Sequence, residues 1–307
     1  MQNFVRRKIP SINPVGDWKQ LPIAECGEPL VALGPWSAYP EALTTGIYAS
    51  ERNDSPYAYG QLEGALLTAF VREGVAKKLA TAASLLPPFY MLLVQDAFRP
   101  QEVQRALFDN HLGVLLRGGM AEEEAIEAAQ RLVSKPSDDP RCPPPHFTGG
   151  AVDLTLVSFE PRSYARLQAL VKDPVAMGWA EGNEYLRIIH MNGHPVRMGT
   201  TFDEGSPPTP TRYYEERIQS NLTVLQRTVR NNRRILYGVM TASGFSNYGE
   251  EWWHHDFGNQ FDAARTGRPA IYGPARLSAE NKAHEEMRRR RYLTEHRFTT
   301  QPKAASL

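Results

Sequence analysis

Two short stretches constrain this chain more than any other feature, because they concentrate side chains that bind metals. The first runs from His146 to Asp153 and reads His-Phe-Thr-Gly-Gly-Ala-Val-Asp, and the second runs from Glu250 to Asp256 and reads Glu-Glu-Trp-Trp-His-His-Asp. A catalytic zinc site needs three protein ligands drawn from His, Asp, Glu or Cys, and an open position for water. The stretches therefore predict such a site, with His146, Asp153 and His254 as ligands.

The two ligands of the first stretch are seven residues apart, a spacing that would put them on opposite faces of an uninterrupted strand. Gly149 and Gly150 resolve this conflict, because a glycine pair can turn the chain between the ligands. The residues that follow alternate as a strand does, with Asp153 and Thr155 on one face. The other face, directed toward a core, carries Val152, Leu154 and Leu156.

In the second stretch Trp252 and Trp253 predict a strand that leads into His254. A turn at Gly249 and Glu250 would precede this strand, and Glu251 would lie at its start. Strand alternation directs His254 and His255 to opposite faces, so only one of them can face a cleft. His255 and Asp256 therefore offer a rival ligand assignment, and Glu250 and Glu251 pose a similar choice.

These residues resemble the zinc D-alanyl-D-alanine dipeptidases of the vancomycin-resistance type, which are related to the DD-carboxypeptidases. The family pattern His-x-x-Gly-x-Ala-x-Asp is matched at His146, Gly149, Ala151 and Asp153. Its pattern Glu-x-Trp-His is matched at Glu251, Trp253 and His254. The resemblance thus selects His254 over His255 and Glu251 over Glu250, and it makes His255 a structural residue and Glu250 a solvated loop charge.

Three further segments extend the resemblance in order along the chain, from about Glu73 to Phe257. They are Asp-Ala-Phe-Arg-Pro at 96–100, Met-Gly-Thr-Thr-Phe-Asp at 198–203 and Asn-Arg-Arg-Ile-Leu at 232–236. One position departs from the family: members often carry Ser two residues before the first histidine, where this chain has Pro144. The departure concerns a substrate contact and leaves the metal ligands intact.

The resemblance implies one zinc ion per chain and a role for each further residue. Glu251 would be the general base, Arg99 would stabilise the oxyanion, and Asp203 would face the free amine of a dipeptide. Plain structural readings stand beside these roles, since Arg99 could simply form an ion pair with Asp96, and Asp203 could be a turn residue. The implied fold is α+β, a small antiparallel sheet flanked by helices as in DD-peptidases and Hedgehog signalling domains, and the irregular succession of elements favours the same class.

The composition limits the choice of partners. The chain has 307 residues, with 35 Lys and Arg against 34 Asp and Glu, so no global field would attract nucleic acid or an acidic membrane. The basic run 288–291 shares its helix with glutamates and is expected to be a solvated face. No segment reaches membrane-spanning length. The start of the chain lacks the apolar core of a signal peptide, and the two cysteines are too few for a disulfide framework, so we expect a cytoplasmic location.

The order of the elements predicts three parts. Residues 1–60 are rich in Pro, Gly, Asn and Ser and are expected to form an arm packed on the domain. Residues 61–275 would form the catalytic domain, in which Tyr90 begins a buried strand and Asp96 and Arg99 lie at its end. Residues 276–307 would be a charged helix and a frayed tail. Further helices are expected at 73–86, 101–116, 121–134, 162–172, within 211–243 and at 278–292.

Two regions near the ligands allow more than one reading. Residues 173–196, with His190 and His194, have no clear period and are expected to be an irregular insertion over the site. Cys142 lies four residues before His146, a spacing seen in metal sites, but the three prolines between them stiffen the link. We therefore interpret Cys142 as an ordinary thiol, although one bridge to Cys26 is possible.

The function predicted from these observations is hydrolysis of D-alanyl-D-alanine, a small dipeptide, by a zinc peptidase. The first alternative is a DD- or LD-carboxypeptidase, or another amidase acting on peptidoglycan-derived or secondary-metabolite peptides. The second is a non-catalytic zinc module. Glu251 and Arg99 argue against the second alternative, because a module without catalysis needs neither group. The oligomeric state is not predicted.

Overall fold

The computed structural model describes residues 4–40, 42–44, 62, 64–133, 137, 139–172 and 177–296. Its strands are β1 (Leu30–Ala32), β2 (Ala42–Thr44), β3 (Phe70–Arg72), β4 (Tyr90–Asp96), β5 (Ala151–Ser158), β6 (His194–Pro195), β7 (Ser246–Asn247) and β8 (His254–Asp256). Its α-helices are α1 (Glu73–Ser84), α2 (Gln101–Arg117), α3 (Glu122–Leu132), α4 (Pro161–Val171), α5 (Trp179–Asn192), α6 (Tyr213–Glu216), α7 (Val224–Ala242), α8 (Gln260–Thr266) and α9 (Ala279–His296).

The strand β5 is the centre of the main sheet. The hydrogen-bonded order is β2-β4-β5-β8-β7, and β6 pairs with the far end of β5. The pairs that involve β5, and the pair β7 with β8, are antiparallel, whereas β2 runs parallel to β4 at one edge. The α+β prediction is therefore confirmed, and the parallel edge pair is a feature that the sequence did not predict.

The two faces of β5 differ as its alternation predicts. Val152, Leu154 and Leu156 are fully buried in the main core, which α1 and α7 also line. Asp153 points to the other face and lines a cavity. This division matters because burial of three aliphatic side chains, each contributing on the order of 1.5–3 kcal/mol, fixes the face to which Asp153 is directed.

The helix α7 is the longest in the described part of the chain, and its N-terminus is well defined. Thr223 Oγ1 accepts from Gln226 N at 3.2 Å while Gln226 Oε1 accepts from Thr223 N at 3.0 Å, which is a capping box. At the other end Gly244 has φ of 96°, the left-handed conformation that glycine tolerates, so it ends the helix as predicted. The other predicted helices are also present, within a few residues of the expected bounds.

The described part of the N-terminal segment, residues 4–40 and 42–44, makes core and sheet contacts with the rest of the chain. Phe4 lies in the main core, and β1 pairs with β3. The sequence indicated no strands here, because β1 and β2 are three residues each and too short to show a period. Residues 45–61 lie outside the described residues. So do residues 297–307 of the tail 293–307 that was expected to be frayed, whereas 293–296 belong to α9.

The prediction of an irregular insertion at 173–196 is wrong. The described part of this segment contains the helix α5, which packs with α4 around its own small core. Tyr185, fully buried, donates its hydroxyl to Pro40 O at 2.6 Å. None of the described residues 177–196 lines the cavity that contains Asp153. The segment therefore supports the far end of β5.

The C-terminal helix α9 is charged, as predicted, but one of its acids is buried. Glu285 accepts from Leu67 N at 2.8 Å and from Thr68 N at 3.0 Å, so it anchors the helix to the segment before β3. The pair Glu286 and Arg290 remains exposed to solvent. In the part of the chain that the structure describes, no helix combines the length and the hydropathy needed to cross a bilayer.

Candidate metal centre

His146 lies on a short 3-10 helix, Pro145–Thr148, that ends at Gly149. Gly149 has φ of 69°, and a Cβ at this position would lie 2.5 Å from Leu30 Cδ2 and would need it to move. A glycine is therefore required both by the backbone conformation and by the close approach of β1. The predicted turn is confirmed, and it brings His146 back toward β5.

Strand pairing places the other two predicted ligands together. Asp153 on β5 is the direct partner of His254 on β8, and His254 Nδ1 lies 2.8 Å from Asp153 Oδ1. His146 Nε2 lies 3.3 Å from Asp153 Oδ2. One potential ligand atom from each of these three buried residues lies within 4.8 Å of the others. The structure thus brings together the three residues that the sequence predicted as ligands.

The backbone before His254 differs from the prediction. Trp252 and Trp253 form a bend, and the strand begins only at His254. Glu251 N donates to Tyr248 O at 3.1 Å and His254 N to Glu251 O at 3.3 Å, so two successive turns replace the extended run. Two buried tryptophans favour a strand by propensity, but here they fill the core from a turn.

His255 does not face the cavity. It is fully buried, its Nδ1 lies 3.0 Å from Trp253 O, and burial lowers its pKa to about 4. Asp256 is a neighbour of His254, not a member of the three-residue group, because its Oδ2 lies 3.1 Å from His254 Nε2, the ring nitrogen away from Asp153. The rival assignment is therefore not the one that the geometry favours.

The supporting role of Asp256 was missed by the sequence interpretation. Its carboxylate also contacts Arg265 of α8 and accepts from Asn259 Nδ2 at 2.6 Å. Strand alternation could have identified it, because residues two apart share a face of β8.

The far nitrogens of both histidines lie against acceptors. Asp256 Oδ2 lies 3.1 Å from His254 Nε2, and Ala97 O lies 2.9 Å from His146 Nδ1. Such outer partners fix the tautomer and the ring orientation of metal-binding histidines and leave the nearer nitrogen as the ligand. Two imidazoles and a carboxylate are the donor set of many catalytic metal sites. The residues present therefore fit a divalent metal ion.

The electrostatics of the centre favour a positive charge. Burial disfavours a charged His254, but Asp256 and Asp153 outweigh it and raise the pKa of His254 well above its usual range. Burial likewise opposes ionisation of Asp153, and His146 and His254 overcome it and hold the pKa of Asp153 well below its usual range. A carboxylate that stays ionised in a buried place is suited to a cationic partner.

The candidate metal-binding group opens into a cavity of about 370 Å³, and the remaining predicted site residues line the same cavity. Glu251 and Asp203 are half-buried on its wall. Burial raises the pKa of Glu251 to about 8, and Asp153 and Asp203 add to the rise while His254 and Arg99 oppose it. The glutamate is therefore more basic than an ordinary surface carboxylate.

Arg99 combines the predicted role with the plain structural reading. Its guanidinium forms an ion pair with Asp96, to which Nε donates at 2.8 Å, and Nη1 donates to Gln104 Oε1 at 2.8 Å. The side chain also lines the cavity. Planar guanidinium groups held on one edge in this way are restricted in orientation. Arg99 is therefore fixed at the cavity wall.

The two cysteines are free thiols, and no bridge joins them. Cys142 lines the cavity but is not one of the grouped ligands, and Ser137 Oγ lies 3.8 Å from its sulfur. Pro144 also lines the cavity, at the position where the resembling family often has a serine. The cavity wall therefore lacks a hydroxyl at that point.

Comparison with known proteins agrees with this geometry. A family model described as D-ala-D-ala dipeptidase matches residues 179–269, which include Asp203, Glu251 and His254. The D-alanyl-D-alanine dipeptidase of a Synechocystis strain is 27% identical over 268 residues, or 80% of this chain and 89% of that protein. The D-alanyl-D-alanine dipeptidase of an Enterococcus faecalis strain is 26% identical over 147 residues, or 47% of this chain and 61% of that protein. These matches confirm the resemblance seen in the sequence, and residues 179–269 are similar to a D-ala-D-ala dipeptidase domain.

Proposed function

We propose that the protein hydrolyses D-alanyl-D-alanine to two molecules of D-alanine, with one zinc ion held by His146, Asp153 and His254. The observation that carries the proposal is the assembly, around one cavity, of three ligand side chains with Glu251, Arg99 and Asp203. Bound zinc would polarise the scissile carbonyl and lower the pKa of a coordinated water to about 7.

Glu251 is the general base in this proposal. Its carboxylate oxygen lies 4.0 Å from His254 Nδ1, next to the ligand group but not part of it. With its pKa raised by burial, the carboxylate can take a proton from the attacking water near neutral pH and pass it to the leaving amine. The same group therefore acts first as a base and then as an acid.

Arg99 stabilises the negative charge that grows on the former carbonyl oxygen. Asp96 and Gln104 hold the guanidinium before the substrate arrives, so little reorganisation is needed as charge develops. The ion pair with Asp96 is thus part of the function in this proposal, because it orients the arginine.

Asp203 binds the free amine of the dipeptide. A carboxylate at a fixed place on the cavity wall favours a charged ammonium group at one distance from the scissile bond. An acylated amine would not give Asp203 a charged group to bind, and the loss of such a charge-assisted contact costs roughly 1–3 kcal/mol, or about fivefold to a hundredfold in rate. Free dipeptides are therefore preferred over longer peptides.

The experiment compares kcat/KM for D-alanyl-D-alanine and its N-acetylated form, in the zinc-loaded wild type and in Asp203→Ala. We expect the wild type to prefer the free dipeptide by roughly tenfold or more, and Asp203→Ala to lose most of that preference. A panel of L,D and L,L dipeptides tests the configuration. Equal rates on the free and acetylated substrates would contradict the dipeptidase proposal.

One alternative is supported by a specific observation. Pro144 leaves the cavity wall without a hydroxyl at that point, which loosens one substrate contact and would admit a different small D-amino acid dipeptide. A DD- or LD-carboxypeptidase, or another amidase with the same metal centre, is the alternative that the acetylated substrate tests. Such an enzyme would cleave the acetylated substrate as fast as the free dipeptide. The cytoplasmic location and the single zinc per chain stay predictions, which fractionation of cells and elemental analysis of the purified protein would test.

A further inference from the structure

The cavity is lined by more acidic than basic side chains. Its acids are Asp153, Asp203 and Glu251, and its cations are Arg99 and Lys19. A free dipeptide carries one ammonium and one carboxylate, so it needs a cationic group on the wall as well as an anionic one. The substrate carboxylate therefore needs Arg99 or Lys19 as its partner.

Arg99 already has partners within the protein, since Asp96 and Gln104 occupy three of its donors. Lys19 is exposed and, among the residues that the structure describes, it makes no ion pair. Its Nζ lies 5.5 Å from the centre of the Trp18 ring, which is a weak contact for an exposed cation. The ammonium group of Lys19 is therefore available for an anionic ligand.

The backbone that carries Lys19 is anchored to the metal-binding side of the molecule. Lys19 is the middle residue of a short 3-10 helix, Trp18–Gln20. The Trp18 ring packs edge-on against Phe261 with ring centres 4.7 Å apart, and Leu21 O accepts from Gln260 Nε2 at 2.6 Å. Both partners belong to α8, which follows the ligand strand β8. The N-terminal segment thus forms part of the cavity wall.

We propose that Lys19 binds the free carboxylate of the dipeptide substrate, so that the N-terminal segment determines specificity at the C-terminal end of the substrate. The inference rests on the proposed dipeptidase function, and it goes beyond it by assigning a residue outside the matched motifs. It also offers a replacement for the contact missing at Pro144. An ammonium on a four-carbon stem can reach a carboxylate without a rigid geometry.

The neutral residues on the same wall cannot supply this charge. Ser137, Gln130 and Cys142 line the cavity, but an uncharged donor gains less from a carboxylate than an ammonium does. If Lys19 binds the substrate carboxylate, its removal should raise KM for substrates that carry that charge. Substrates whose C-terminus is a neutral amide should be unaffected.

The experiment pairs the substrate with its amide. kcat/KM is measured for D-alanyl-D-alanine and D-alanyl-D-alaninamide in the zinc-loaded wild type, in Lys19→Met, in Lys19→Arg and in the control Lys8→Met, which alters an exposed lysine of the same segment outside the cavity lining. For Lys19→Met we expect a fall of roughly five- to twentyfold on the acid, mostly through KM, and no change on the amide. Lys19→Arg should keep most of the activity, and Lys8→Met all of it.

Binding without turnover separates this inference from the proposed function. In a Glu251→Ala background, calorimetry measures the Kd of the acid and the amide with and without Lys19→Met. If the wild type hydrolyses D-alanyl-D-alanine but Lys19→Met weakens the acid and the amide equally, or neither, the inference is overturned while the function stands. If nothing is hydrolysed but the acid still binds in a Lys19-dependent manner, only the function fails. If the acid is neither bound nor hydrolysed, both are overturned.

Discussion

Asp153 and Asp203 line the same cavity, yet they are held in place in different ways. Asp153 lies on β5 and is paired in register with His254 on one side and Asp96 on the other. Asp203 lies in a loop, in the left-handed conformation with φ of 59°, and is not part of a strand. The first acid is thus positioned by a ladder of backbone hydrogen bonds, whereas the second depends on side chains that bind its loop.

One side chain, Arg233, binds three backbone carbonyls at the two ends of the loop that carries Asp203. Arg233, buried on α7, donates to Met198 O at 2.8 Å and to Pro208 O and Pro210 O at 2.7 Å each. Asn232 Nδ2 adds a bond to Arg197 O at 2.9 Å. The run Asn-Arg-Arg, noted in the sequence without a role, therefore holds the segment that presents Asp203.

Asp153 and Asp203 should therefore respond differently to substitutions. A strand ladder distributes its support over many backbone groups, so a single surface substitution cannot displace Asp153. In the loop, by contrast, a single guanidinium binds three carbonyl oxygens. Burial lowers the pKa of Arg233 to about 10, which is still high enough for the group to be charged at neutral pH. Substitutions should therefore separate metal binding from recognition of the amine.

The largest effect is expected from substitution of a predicted metal ligand, His254, which pairs with Asp153 across β5 and β8. His254→Ala removes an imidazole from the three-ligand group, so the protein should lose its zinc, and turnover should fall to background because two ligands hold the metal poorly. Elemental analysis of the purified variant measures the loss. His255→Ala is the matched control, since the neighbouring ring faces away from the cavity. Full zinc in His254→Ala with loss in His255→Ala would reverse the assignment.

The second effect is expected at Glu251, which adjoins the ladder but should not bind the metal. Glu251→Ala should keep zinc and lose on the order of 10²–10⁴-fold in kcat, because it removes only the group that moves the proton. Zinc content and kcat measured on the same preparation give the answer. A variant that lost its zinc would make Glu251 a ligand, and the assignment of Asp153 would then have to change.

The third effect tests the loop. Arg233→Met leaves one buried and two part-buried carbonyls without their donor, and we expect the free energy of unfolding to fall by roughly 2–5 kcal/mol. Zinc content should stay full, while the preference for D-alanyl-D-alanine over its N-acetylated form should shrink as Asp203 loses its fixed place. Urea unfolding and the paired kcat/KM values measure the two effects. Loss of zinc together with the preference would show that the loop and the ladder are not independent.

The residues of the ladder were predictable from local sequence patterns, whereas Asp203 was indicated only by the resemblance and its support by Arg233 was not predicted. His146, Asp153 and His254 stand in local patterns whose period and glycine turn translate directly into strand faces. The contacts of Arg233 with Met198 and Pro208 join residues 35 and 25 positions apart, and no local period encodes such pairs. The same limit explains why the part played by Lys19 in the cavity wall was not foreseen.

Two errors in the fold have local causes. The strand expected at Trp252 and Trp253 followed β propensity, but the turn at Glu251 and the packing of both rings in the core decided the backbone there. The helix α5 was missed because Gly182 interrupts its pattern. A Cβ on that glycine would lie 2.1 Å from the Trp36 ring, so the residue is present for packing and weakens the helical signal.

The smallest effect should come from the far end of the helix that carries Arg233. Thr223→Ala removes the capping box of α7 at its exposed N-terminus, and we expect a loss of about 1 kcal/mol in the free energy of unfolding. Because the guanidinium of Arg233 still reaches its three carbonyls, zinc content, kcat/KM and the preference for a free amine should all be unchanged. Thr223→Ser, which retains the hydroxyl, should restore the stability. If Thr223→Ala reduced the preference as far as Arg233→Met does, the position of Asp203 would follow the stability of α7 as a whole, and the specific support by Arg233 would be refuted.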